Sequence, residues 1–205
     1  MSAPRKPEFW NHSAAYYPRF RRQLAGKTRI LDAGCGEGAL TRFLAAPGRR
    51  VLGIDPDADC IRRAEALAPG GTEYRLCTLE ELSEPGPFDG VVFSASLHHM
   101  DAEKALDRAV SLLEPGGVLL AAGLARPSSL GDRLLEALRV IPCALLSRLH
   151  RQQSAEALGV PVSYALPSMG EVRALIRRKL PGAELRQGLY YRWLLRWEKP
   201  RRESE

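Results

Sequence analysis

The stretch Arg29-Ile-Leu-Asp-Ala-Gly-Cys-Gly-Glu-Gly38 decides how the chain is read, because a short apolar run breaks into alternating glycines directly after a carboxylate. Ile30 and Leu31 supply the body of a buried strand. Gly34, Gly36 and Gly38 let the backbone turn tightly and come close to a ligand. The next residues, Ala39-Leu-Thr-Arg-Phe-Leu-Ala-Ala46, have helical spacing, so the turn opens a helix whose N-terminus can face that ligand. Gly34-x-Gly36-x-x-Ala39 also satisfies the looser dinucleotide fingerprint, so the glycines alone leave several cofactors open. The neighbouring acids narrow the choice. Asp32 stands where a nicotinamide enzyme usually carries an apolar residue, and a carboxylate there can pair with a cationic amino group. Gly53-Ile-Asp-Pro56 ends the next strand with Asp55, placed to accept hydrogen bonds from two ribose hydroxyls. The pair describes a nucleoside with an amino-acid-like tail.

Working outward, strand-like runs recur at Ile30 to Ala33, Val51 to Ile54, Tyr74 to Cys77, Gly90 to Ser94 and Val118 to Ala122. Helical patterns at Leu40 to Ala46, Asp59 to Ala68 and Glu103 to Leu113 separate most of them. That alternation predicts an α/β fold, a mostly parallel sheet wrapped by helices. Glu114-Pro-Gly-Gly117 is expected to end the last of these helices and turn into the fifth strand. Then the rhythm changes. Leucines from Leu130 to Leu149 keep helical spacing around Pro142, which predicts a helical insert, either packed on the domain or capping a substrate. A helix near Gly170 to Lys179 and strands at Ala183 to Tyr190 and Trp193 to Glu198 predict a closing antiparallel hairpin.

The 205 residues fit one domain, divided into an N-terminal lid (1–26), a cofactor-binding core (27–125), an insert or cap (126–160) and a C-terminal helix and hairpin (161–205). No signal-peptide pattern and no membrane-length apolar run is seen, so a cytoplasmic protein is expected. The four cysteines form no CxxC pair and no Cys/His zinc spacing, so reduced thiols and no metal are expected. The net charge of +6 is spread along the chain, which reads as an arginine-rich surface and not as a nucleic-acid interface.

With Leu31-Asp-Ala-Gly-Cys-Gly-Glu-Gly38, Gly53-Ile-Asp-Pro56, Phe88-Asp-Gly-Val-Val-Phe93, Leu97-His-His-Met100 and Leu113-Glu-Pro-Gly-Gly117 in view, the chain resembles the class I S-adenosylmethionine-dependent methyltransferases. The likeness is to the small-molecule group with Leu-His-His after the fourth strand, and it covers most of the chain. It implies a Rossmann-like seven-stranded sheet with an antiparallel C-terminal strand. It also implies S-adenosylmethionine as cofactor, with S-adenosylhomocysteine as product. By the resemblance, Asp32, Gly34, Cys35 and Gly36 hold the methionine portion, Asp55 and Pro56 the ribose, and Thr78 and Leu79 the adenine, with Ser94 nearby. Thr78 departs from the Asp that many relatives carry there; its hydroxyl can still serve the adenine amino group.

Methyl transfer from a sulfonium is an in-line displacement, so the protein must align a nucleophile and, for some acceptors, remove a proton. His98 and His99 follow the fourth strand, at the sheet edge where ligands bind in such folds, and either is a candidate base or acceptor contact. Adjacent histidines in that group also serve architecture. Phe9-Trp-Asn-His-Ser-Ala-Ala-Tyr-Tyr-Pro18 is rich in aromatics; His12, Tyr16 and Tyr17 are lid candidates near cofactor or acceptor, and the alternative is an aromatic staple against the core. The leading expectation is methylation of an oxygen or nitrogen on a small molecule in specialised metabolism, by a monomer or homodimer. An RNA or protein methyltransferase, an NAD-dependent oxidoreductase and a non-catalytic interaction module stay open.

Overall fold

A computed structural model describes residues 12–83, 87–127, 130–131, 166–189 and 192–201. The insert leucines 134–149 and the N-terminal residues 1–11 lie outside the described residues.

Seven strands form one sheet in the order β3-β2-β1-β4-β5-β7-β6. These are β1 (Arg29–Ala33), β2 (Arg50–Asp55), β3 (Thr72–Leu76), β4 (Phe88–Ser94), β5 (Leu113–Leu124), β6 (Glu184–Gln187) and β7 (Arg192–Glu198). β1 to β5 run parallel, and β7 lies antiparallel between β5 and β6, which makes the expected C-terminal hairpin. β1 sits between β2 and β4, so the chain reverses its winding there. In open α/β sheets that reversal leaves a crevice at the carboxyl ends of the strands.

Alternation along the strands sorts the core into two layers. Ile30, Val51, Val92, Val118 and Leu120 face α1 (Tyr17–Gln23) and α2 (Ala39–Leu44). Leu31, Leu52, Val91, Phe93 and Leu119 face α4 (Ala102–Leu112) and α5 (Met169–Lys179). α3 (Ala58–Ala66) buries Ile61 and Ala64 and is capped by Asp57, whose side chain accepts from the N–H groups of Asp59 and Cys60.

Two expectations are corrected. Glu114-Pro-Gly-Gly117 is not a turn before β5. The strand pairing runs from Phe88↔Leu113 to Gly90↔Val118, so the four residues bulge out inside the strand. Lys27 Nζ donates to the Gly116 carbonyl at 2.8 Å, and the Gly116 N–H donates to the Lys199 carbonyl at 2.8 Å, which pins the bulge. The second correction concerns the aromatic N-terminus. Residues 14–24 form a 3₁₀ turn and α1, burying Ala14, Tyr17, Phe20 and Leu24 against Leu40, Phe43 and Leu44, so this part is a core layer and not a lid. Truncating the fully buried Phe20 to Ala would cost about 3–5 kcal/mol.

Many of the surplus cations are spent on backbone carbonyls. Arg49 donates to the carbonyls of Lys27, Leu44 and Leu24, Arg108 to those of Leu82 and Leu79, and Lys199 to those of Val110 and Leu113. At the same amino edge of the sheet, Asp89 accepts from the N–H groups of Thr28 and Arg29. Among the described residues no helix is long and apolar enough to cross a membrane, and no group of three His, Cys, Asp or Glu side chains is placed to hold a metal.

Candidate functional site

The glycine turn is held from below by β2. The N–H groups of Gly34 and Cys35 both donate to the Ile54 carbonyl at 2.9 Å, and the Gly38 N–H donates to the Cys35 carbonyl at 3.0 Å. Gly34 has φ +74°, and a Cβ there would lie 2.4 Å from the Ser96 Cβ, so only glycine allows β1 and the β4 exit to meet. Gly36 differs: at φ +52° its added Cβ would meet nothing within 4 Å, so that face of the turn is open. Asp55 organises the same turn, its Oδ2 accepting from the Gly36 N–H at 2.8 Å and its Oδ1 from the Asp57 N–H at 3.0 Å. Pro56 between them is exposed.

Asp32 is the anomaly of the site. It is 1% exposed, its Oδ2 accepts from the Thr41 hydroxyl at 2.7 Å, and its Oδ1 has no hydrogen-bond partner among the described residues. Burial raises its pKa from 3.8 to about 7; the Thr41 hydrogen bond opposes the shift, and the charge of Asp55 adds to it. Such a carboxylate calls for a positive partner. The Cys35 thiol, also raised by burial and by Asp32 and Asp55, is no nucleophile; its Sγ lies 3.5 Å from the Gly36 carbonyl.

At the end of β4, Ser94 keeps a buried hydroxyl without a hydrogen-bond partner among the described residues. Ala95 then takes φ 60°, a left-handed conformation costly for a residue with a Cβ. Its N–H donates to the Ala122 carbonyl at 2.7 Å, and Ser96 Oγ donates to the Ala33 carbonyl at 2.5 Å, so the turn is tied to both neighbouring strands. It leads into the 3₁₀ turn Leu97–His99. The His98 and His99 rings lie 4.1 Å apart between centroids. Burial, with help from the charges of His99 and Arg192, lowers the His98 pKa to about 4, so it is a neutral and weak base at pH 7. His99, more exposed, is lowered by burial and partly restored by Asp55.

After β3, the Thr78 N–H and hydroxyl both donate to Glu81 Oε2, at 3.0 and 2.9 Å. This is a side-chain-closed turn, and Thr-x-x-Glu was its legible signal. The Thr78 oxygen keeps acceptor capacity toward an adenine amino group. Leu79 is 1% exposed and belongs to the core.

Of the lid candidates, Tyr17 is a core ring, 5.7 Å from the Phe43 ring. Tyr16 donates through its hydroxyl to the Leu189 carbonyl at 2.8 Å and fills the space beside Gly188, which ties the N-terminus to the β6–β7 hairpin. His12 is half-buried in the turn before it. The structure therefore gathers Asp32, Gly34, Cys35, Gly36, Asp55, Ser94, His98 and His99 at one sheet edge. Sequence reasoning missed Thr41, Ser96, Glu81 and Arg192. The fit to S-adenosylmethionine rests on this arrangement: a buried acid with an orphaned oxygen, an open glycine turn beside it, and Asp55 ending the adjacent strand.

Similar proteins give the family. A methyltransferase-domain family matches residues 30–117. An uncharacterised methyltransferase from Mycobacterium tuberculosis is 35% identical over 180 residues, covering 85% of this chain and 89% of that protein. The chain belongs to the class I S-adenosylmethionine-dependent methyltransferases. A ubiquinone biosynthesis O-methyltransferase from Xanthomonas euvesicatoria is 38% identical over 130 residues, which span 60% of this chain and 54% of that one. Among solved structures, magnesium protoporphyrin IX methyltransferase from Synechocystis with bound S-adenosylhomocysteine superposes with TM-score 0.60 at 19% identity, covering 92% of this methyltransferase and 83% of that chain. The N-methyltransferase NodS from Bradyrhizobium japonicum superposes with TM-score 0.56 at 18% identity, covering 91% and 97%. These two matches share the seven-stranded α/β fold.

Proposed function

We propose that this methyltransferase uses S-adenosylmethionine to methylate an oxygen or nitrogen of a small-molecule acceptor in specialised metabolism, acting in the cytoplasm as a monomer or homodimer. The observation that carries the reading is Asp32, a buried carboxylate whose Oδ1 lacks a partner among the described residues, beside the open face of Gly36. A cationic amino group placed there would satisfy that oxygen and draw the pKa of Asp32 down. Asp55 would take the ribose hydroxyls, exchanging part of its hold on the turn, and Thr78 with the Leu79 backbone would meet the adenine edge. When bound, the cofactor supplies an electrophilic methyl group on a positively charged sulfur. The chain's own work is to orient the acceptor over the carboxyl ends of β1 and β4 and to exclude water there. Ser94, His98 and His99 form the acceptor-facing floor. His98, with its low pKa, suits accepting a hydrogen bond better than removing a proton from a weak acid.

The O-methyltransferase relative favours oxygen as the acceptor atom. Calorimetric titration with S-adenosylhomocysteine tests the cofactor. One-site binding supports the proposal, whereas binding of NAD with no response to S-adenosylhomocysteine would return the oxidoreductase reading.

A further inference from the structure

We propose that Arg192 is the anion-recognising residue of the acceptor pocket, so that the acceptor offers an acidic oxygen, a carboxylate or phenolate, and not an amine. The inference rests on the methyl-transfer reading above and names the substrate class for that site.

Arg192 opens β7 and pairs in register with Leu124, the last residue of β5. Because β7 is antiparallel, its first residue lies at the carboxyl edge of the parallel strands, the edge that carries Ser94, His98 and His99. The hairpin fixes its backbone: the Gly188 N–H donates to the Arg192 carbonyl at 2.7 Å, and the Arg192 N–H to the Leu189 carbonyl at 3.3 Å. Its side chain is oriented from the N-terminal segment, where Arg192 Nη2 donates to Ser13 Oγ at 2.9 Å. Tyr16, bonded to the same hairpin, stands within electrostatic reach of the guanidinium.

The two imidazoles order the pocket. His99 senses the charge of Asp55, the acid that ends β2, while His98 senses the charge of Arg192. In the strand order β2-β1-β4-β5-β7 the carboxyl edge carries Asp55 at the end of β2, the histidine pair beyond β4 and Arg192 at the start of β7, so Arg192 lies on the far side of the histidines from the cofactor-facing Asp55.

Electrostatics then select the acceptor. Burial lowers the Arg192 pKa to about 10, which leaves the guanidinium charged at neutral pH in a partly desolvated place. A planar guanidinium matches a carboxylate in a fork geometry, and charge-assisted bonds of this kind strengthen as water is excluded. An ammonium acceptor meets repulsion from the same charge, and neutral His98 gives it no effective base. A carboxylic acid arrives already deprotonated, so its lone pair is available without proton removal, and a phenol beside the guanidinium has its pKa lowered, so that it loses its proton to water more readily. The weak basicity of His98, set mainly by burial and added to by the charges of His99 and Arg192, fits an acceptor that needs no base.

The test uses the full chain loaded with S-adenosylhomocysteine, titrated separately with benzoate, benzamide and benzylamine and followed by calorimetry or thermal shift. Binding of S-adenosylhomocysteine is measured first; its absence sinks the methyl-transfer reading and this one with it, whereas its presence isolates the acceptor question. The expected result is benzoate bound on the order of tenfold tighter than either neutral benzamide or cationic benzylamine. Arg192→Gln should abolish that preference while S-adenosylhomocysteine affinity stays within about twofold, and Arg192→Lys should retain part of it. Equal binding of the three probes, no benzoate binding at millimolar concentration, or full benzoate binding by Arg192→Gln each overturns the assignment. Should Arg192→Gln fail to fold, the probe preference of the wild-type chain decides.

Discussion

Replacing Asp32 with Asn separates the stability of the fold from its capacity to bind a cation. The native pKa of Asp32 is about 7 against an ordinary 3.8, so the folded state retains a proton that the unfolded chain releases. Stability therefore falls as pH rises from about 4 through 7, and the full cost, present above pH 7, is on the order of 4 kcal/mol at about 1.36 kcal/mol per decade. Asn resembles the protonated acid and escapes that cost. The Asp32→Asn variant should gain stability over wild type by about 2–3 kcal/mol more at pH 8 than at pH 5, or roughly 5–10 °C in midpoint for a chain of this size. Cofactor affinity should move the other way. At pH 8 the variant should bind S-adenosylhomocysteine at least about tenfold more weakly, because a buried charge partner is lost. Thermal and urea unfolding across pH 5–8, with calorimetry at both ends, reads both effects. A stability difference independent of pH would refute the assignment of the buried, raised acid, and an unchanged dissociation constant would refute its role toward a cation.

The glycines of the turn should divide by function. Gly38→Ala places a Cβ 2.5 Å from the Tyr74 ring at φ +72° and should cost about 2–4 kcal/mol in urea unfolding, whereas Gly36→Ala should cost about 1 kcal/mol and weaken S-adenosylhomocysteine binding more than about tenfold. Tyr16→Phe removes the bond to the Leu189 carbonyl and should lower stability by about 1 kcal/mol, roughly 2–4 °C; an unchanged midpoint would mean that this bond adds nothing. His98 is held below its ordinary 6.5, so the unfolded state takes up protons that the native state refuses, and stability is lost as pH falls from 6.5 toward 4. His98→Gln should therefore grow more stable relative to wild type over that window, and parallel pH profiles would contradict the burial of this imidazole.

The interior strands were legible because each is a short apolar run buried on both faces, as in Ile30 to Ala33 and Val51 to Ile54. The edge strand was legible only in part, read at Tyr74 to Cys77 where β3 is Thr72–Leu76. Half-exposed β3 mixes Glu73 and Arg75 with Tyr74, so its start at Thr72 gave no periodic signal. The Pro-Gly-Gly run reads as a turn from local chemistry, and only the bonds from Lys27 and Lys199 make it a bulge. Within the site, Asp32 and Asp55 stand out by type and place, yet Thr41 looks like any helical threonine until the turn folds it back. Arg192 was invisible for a related reason: its contact with Ser13 spans 179 positions, and one arginine among many has no local mark. The helical spacing of Tyr17, Phe20 and Leu24 was the overlooked clue that the aromatic N-terminus would pack and not hover.

The cations bonded to carbonyls have a consequence for how the molecule meets acid and salt. A bond from Arg49 or Lys199 to a neutral oxygen has no carboxylate to protonate, so these clamps persist at a pH that dissolves ordinary ion pairs, and they are little screened by added electrolyte. Their charge also stays uncancelled and helps sustain the +6 of the chain. Anchorage of the amino edge and a positive field felt by an approaching anion are thereby supplied by the same side chains.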